Sequence, residues 1–172
     1  MRKLLLTALL CLTICACCAQ DDFQLGQHVT AGNWRIWSVT KPSGIYKMAF
    51  IYSDLLYFDR GEEKSSLTIN LWENNHCEVI LSNDTGLFTN DPIGDSITYR
   101  IDKGPYQTTS IKHSYRGSKH SIYPVQTSDM YVGLLHAKSL SIRAVFEDGP
   151  RWMFFDVTGF NMNLLHIRND EW

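Results

Sequence analysis

The sequence predicts a mainly β protein, an antiparallel β-sandwich of about eight to nine strands with one short helix and a C-terminal helical turn. Three observations carry that prediction. Apolar and polar residues alternate with period two through most of the chain from Asn33 onward. Turn-forming clusters punctuate that alternation at short intervals, as in sandwiches and barrels. Only one internal segment, 128–138, changes to a helical period.

The chain divides into a leader, a tether and one domain. In "MRKLLLTALLCLTICACCAQ", Arg2 and Lys3 precede an apolar run and a small-residue exit, the pattern of a secretory signal over 1–19. That run is shorter than the roughly 20 residues a spanning helix needs. Two exits are open: cleavage before Gln20, or a bacterial lipobox at Ile14-Cys15-Ala16-Cys17, which makes Cys17 a lipidation candidate. Residues 20–32 read as a polar tether, and 33–172 as the sandwich domain. About 150 exported residues suffice for one core.

Within the domain each element has its own warrant. "WRIWSVT" (34–40) and "IYKMAFIYS" (45–53) flank a Pro42-Ser43-Gly44 turn, and both faces of the second run are apolar, as inside a sandwich. "SLTINLW" (66–72) and "CEVILS" (77–82) form a hairpin across Glu73-Asn74-Asn75. "LFTNDPIGDS" (87–96) is a loop. "ITYRID" (97–102) turns at Lys103-Gly104-Pro105 into "YQTTSIKHS" (106–114), and "IYPV" (122–125) reads as an edge strand because Pro124 has no N–H to donate. In 128–138, Tyr131, Leu134, Leu135 and Lys138 recur at helical spacing, with Ser128 or Asp129 available to cap. "KSLSIRAVFEDGPRWMFFDVTGF" (138–160) is the central hairpin, turning at Asp148-Gly149, where Pro150 discourages pairing. "NMNLLHIRN" (161–169) supplies the final helical turn.

Charge and cysteine usage exclude several functions. Without Arg2 and Lys3, 14 of the 16 basic residues remain against 18 acidic ones, a formal charge of −4. That disfavours nucleic acid and a cationic membrane-adhering surface, leaving membrane contact to an acyl anchor. Cys77 is the one cysteine well inside the exported domain, so no internal disulfide staples it. It reads as a small core residue. Its neighbour His76 points to the opposite face of a strand and is poorly placed as its base.

No metal, cofactor or catalytic constellation is expected. His28, His76, His113, His120, His136 and His166 make neither HxH nor HxxxH, and there is no GxSxG elbow or phosphate-binding glycine loop. Glu62-Glu63 reads as solvated loop. Asn83-Asp84-Thr85 is an N-glycosylation triplet that matters only in a eukaryotic secretory route. Asp156 stands between apolar sets and is expected to take backbone N–H bonds or a basic partner. The basic loop "KHSYRGSKH" (112–120) contains no acid. Its Lys112, Tyr115, Arg116 and Lys119 are the candidate partner-binding residues, and 87–96 is the other candidate contact loop.

Several short motifs resemble one family. Tyr99, Arg100, Asp102, Gly104 and Pro105, then Lys138, Ser139 and Leu140, then Phe155, Asp156, Thr158 and Gly159 look like the pattern of the VasI/TagO proteins, periplasmic accessories of type VI secretion. Cysteines of that pattern are absent here, where Leu71 and Trp72 end the early strand. The resemblance implies an envelope β-sandwich with no known catalytic centre. The expected function is therefore an exported, non-enzymatic accessory or binding protein of the bacterial envelope, periplasmic or lipid-anchored, acting through a protein partner. The alternative is an exported inhibitor or immunity-type protein that blocks an enzyme.

Overall fold

A computed structural model describes residues 24–41, 44–54, 56–58, 61–72, 76–89, 95–113 and 118–161. Its strands are β1 (Gln24–Ala31), β2 (Trp34–Lys41), β3 (Gly44–Tyr52), β4 (Leu56–Phe58), β5 (Gly61–Glu63), β6 (Ser65–Trp72), β7 (Cys77–Asn83), β8 (Ser96–Ile101), β9 (Gln107–His113), β10 (Ser121–Pro124), β11 (Ser139–Phe146) and β12 (Gly149–Asp156). One helix, α1 (Thr127–Leu134), lies between β10 and β11. Ten strands form one antiparallel sheet in the order β1-β2-β3-β6-β7-β10-β9-β8-β11-β12, and β4-β5 is a separate hairpin. The expected mainly β, antiparallel class is the one observed, with its two layers made from a single sheet.

That sheet doubles over on one core. Trp34, Ile36, Ala49, Ile51, Leu67, Ile69, Val79 and Leu81 from one half join Ile97, Tyr99, Leu140, Ile142, Met153 and Phe155 from the other in one buried cluster. Alternation explains which residues enter it: in β11, Leu140, Ile142, Ala144 and Phe146 face inward while Arg143 is exposed. Phe88 stacks on Phe146 at 4.5 Å, and Met130 and Leu134 bring α1 onto the core.

The far ends of the sheet then meet. Trp34 is fully buried, and its Nε1 donates to the Val157 carbonyl at 3.0 Å. Asn33 Nδ2 donates to Asp156 Oδ2 at 3.0 Å, and the Asp54 N–H donates to the Phe154 carbonyl at 2.8 Å. Two glycines allow this approach. Gly32, at φ +59°, opens the two-residue β1–β2 turn, the place for glycine in a type II′ hairpin, and a Cβ there would fall on the Thr158 carbonyl oxygen. Gly159, at φ +92°, would bring a Cβ to 2.9 Å from the Ala31 carbonyl oxygen.

Several expectations are corrected. The tether of 20–32 gives way over 24–31 to β1, because its backbone completes a ladder with β2 despite weak side-chain patterning. β10 is interior, between β7 and β9, not an edge. It pairs with β7 only through Ser121 and Ile122, so that ladder has ended before Pro124. On its other side the Val125 N–H bonds Ser110, which turns the Pro124 nitrogen away from β9. The 138–160 hairpin is not central, since β12 ends the strand order. Its turn is Glu147-Asp148 with Phe146 opposite Gly149, and Pro150 pairs in register with Val145, a place an edge strand tolerates. α1 starts at Thr127, so Ser128 and Asp129 sit in its first turn instead of capping it. The leader, Cys17 and the 161–169 turn from residue 162 onward lie outside the described residues.

Candidate functional site

The candidate loop of 112–120 is divided by the fold. Lys112 is exposed on β9, opposite Tyr123 of β10. Lys119 Nζ lies 2.5 Å from Glu147 Oε1, so its charge meets an acid of the same chain. The loop's far end is fastened down: the Phe88 N–H bonds the Lys119 carbonyl and the Asn83 N–H bonds the His120 carbonyl. Tyr115 and Arg116 lie outside the described residues, as do 90–94 of the other candidate loop.

The more distinctive surface is the outer face of β8, β11 and β12. Pairing sets Arg100, Ser141 and Phe154 in one row, and Thr98, Arg143 and Trp152 in the next. Tyr106, just before β9, closes the patch. Its ring centroid is 5.7 Å from that of Trp152, which stands 6.4 Å from Phe154 with the planes only 20° apart. Tyr106 is 58% exposed and Phe154 44%, high for aromatic side chains. The Arg100 guanidinium lies 4.9 Å over the Tyr106 ring, a cation–π contact, while its Nε is buried without a hydrogen-bond partner. Ser141 faces outward yet is buried between its larger neighbours.

Local carboxylates are occupied elsewhere. Asp102, at φ +48°, accepts the Lys138 and Ser139 N–H groups at 2.9 and 2.8 Å and the Ser139 hydroxyl at 3.2 Å. Those backbone bonds, Ser139 first, hold its carboxyl below the ordinary value. Asp156 is exposed, not buried; it accepts the Thr158 N–H at 3.1 Å and the Asn33 amide. Bonds from Thr158, then Asn33, lower its carboxyl as well. Thus Asp102, Lys138, Ser139, Asp156 and Thr158, all members of the short motifs, tie the strand ends together.

Groups with catalytic potential are not assembled among the described residues. No three His, Cys, Asp or Glu side chains there come close enough to hold a metal. Burial, helped by Glu78, pushes the Cys77 thiol up to about 11, the opposite of nucleophile activation. Both ring nitrogens of His113 are buried without a partner. Asn83 of the glycosylation triplet is buried, with its amide donating to Ser65 Oγ at 2.9 Å and its Oδ1 accepting the Thr85 and Gly86 N–H groups.

The sequence matches no protein-family model and no curated protein. Among solved structures, it is similar to invasion associated protein B from Bartonella henselae, at a TM-score of 0.56 and 15% identity, covering 81% of this chain and 96% of that one. At that identity the likeness is one of fold.

Sequence reading missed this face as a unit. Period-two alternation is what turns Arg100, Arg143, Trp152 and Phe154 away from their inward neighbours, but the register that sets them side by side is not a local signal.

Proposed function

We propose that the chain is an exported, non-enzymatic binding protein of a bacterial envelope that works by contact with a protein partner. The observation that carries this reading is the Tyr106–Trp152–Phe154 strip, exposed at Tyr106 and Phe154, with two arginines beside it. Tyr, Trp and Arg dominate the energetic centres of protein interfaces. Exposed aromatics gathered in one patch mark contact sites, whereas scattered ones do not. The leader pattern of 1–19 supports export, with lipidation at Cys17 as the anchored form. A fold shared with a protein described as invasion associated supports a role at the bacterial surface or envelope. The short motifs that resemble VasI/TagO proteins support a secretion-apparatus accessory as the finer assignment.

Photocrosslinking in the source cell tests the reading. A crosslinking residue in place of Phe154 is expected to trap one discrete envelope protein, and one in place of the exposed Val132 on α1 is not. Mass spectrometry is expected to find a mature N-terminus at Gln20 or at an acylated Cys17. An unprocessed precursor, or the same adducts from both positions, would refute the proposal.

A further inference from the structure

The outer face of β8, β11 and β12 carries charge as well as apolar surface. Arg143 is exposed and, like Arg100, has no ion pair among the described residues. Asp102 and Asp156, two positions along the chain from Arg100 and Phe154, are committed to backbone N–H groups. A chain of net charge −2 therefore presents two unneutralised guanidinium groups side by side with three aromatic rings. The buried Nε of Arg100 lacks an acceptor, and such a donor is costly to leave unpaired. A carboxylate arriving from outside pairs with a guanidinium in the planar geometry that arginine matches best.

Ring geometry selects the class of partner. Trp152 and Phe154 occupy alternate positions of one strand, from which side chains stand up off the sheet. Their ring centroids lie 6.4 Å apart, with the planes within 20° of parallel. One face of Tyr106 is taken by Arg100. Rings gathered beside two guanidinium groups suit an inserted apolar side chain with a carboxylate next to it. We propose that this face binds an acidic protein segment, whose carboxylates pair with Arg100 and Arg143 while an adjoining apolar side chain lies against Tyr106, Trp152 and Phe154. The inference rests on the reading of this face as the contact surface.

The test uses the mature chain and a fluorescently labelled random Glu/Tyr copolymer, followed by anisotropy, with a Lys/Tyr copolymer as the control. The wild type is expected to bind the acidic copolymer alone, and less tightly as salt rises. Arg143→Gln is expected to weaken binding about tenfold, and Arg100→Gln with Arg143→Gln further. Because Arg143 is exposed, its variant reads out even where the double variant loses its fold. Unchanged affinity in folded Arg143→Gln protein would overturn the proposal. So would a preference for alginate or for phosphatidylglycerol vesicles over the acidic copolymer. If Trp152→Ser with Phe154→Ser abolishes binding and the arginine variants do not, the acidic partner is refuted while the contact face stands. If none of these variants changes binding, both fail.

Discussion

Replacing Gly32 and Gly159 by alanine, singly and together, measures how the two ends of the sheet are held. Each single change carries two costs. The first is backbone strain: φ is +59° at Gly32 and +92° at Gly159, and positive φ costs a residue with a Cβ about 1–2 kcal/mol. The second is separation, since either new methyl meets backbone of the other segment, Thr158 in one case and Ala31 in the other. Forcing packed groups apart costs about 1–3 kcal/mol. Each single variant is therefore expected to lose about 2–5 kcal/mol. In the double variant the strain terms add, but the segments need separating only once. Its loss should fall short of the sum of the singles by about 1–3 kcal/mol, the coupling expected of groups in direct contact. Urea unfolding followed by the fluorescence of Trp34, against a Trp34→Phe control, gives all four stabilities. Losses that add to within about 0.5 kcal/mol would show that the two turns are not in contact, and the doubled-over sheet would be wrong at that end.

Two further predictions concern ionisation. Because its thiol is pushed up to about 11, half-buried Cys77 is about one part in a thousand thiolate at pH 8, and a disulfide reagent should modify it much more slowly than it modifies the unfolded chain. Labelling of folded protein as fast as of the unfolded chain would contradict the raised thiol. Asp102 and Asp156 are held below their ordinary values, so the unfolded state takes up protons first as pH falls. The stability they contribute is fully present above about pH 4 and is lost as pH drops through the folded values. Asp102→Asn keeps a residue suited to positive φ while removing the charge. It should cost about 1 kcal/mol at pH 7, modest because solvent screens the site, and flatten the acid limb of melting temperature against pH. An acid limb identical to wild type would exclude Asp102 from that role.

Strand content was legible in the sequence because alternation is a local signal. Leu140 to Phe146 shows inward and outward sets without any knowledge of neighbours. Pairing partners are non-local, and that is where expectation and structure part. Pro124 has no donor, which argues for an edge when read alone; in the fold its nitrogen simply faces a ladder that has already stopped. The stretch 24–31 has weak patterning, and only Trp34 to Lys41 beside it makes it a strand. Lys119 looked like a free cation within an acid-free loop, but Glu147, 28 residues away, sits beside it. The aromatic and arginine face likewise depends on register: Arg100, Ser141 and Phe154 come from three strands, and their row exists only once those strands are aligned.

The meeting of residues 32–34 with 156–159 has a consequence for how the chain matures. Asn33 and Asp156 are 123 positions apart, as are Trp34 and Val157. Closing so long a loop is slow, and a topology rich in such distant pairings delays its final docking. On the ribosome, which adds about 5–20 residues per second, the indole of Trp34 waits several seconds for its acceptor to be made. Through that interval the greasy sides of the first strands face water, so a holding chaperone would find its strongest foothold on the earliest third of the nascent chain.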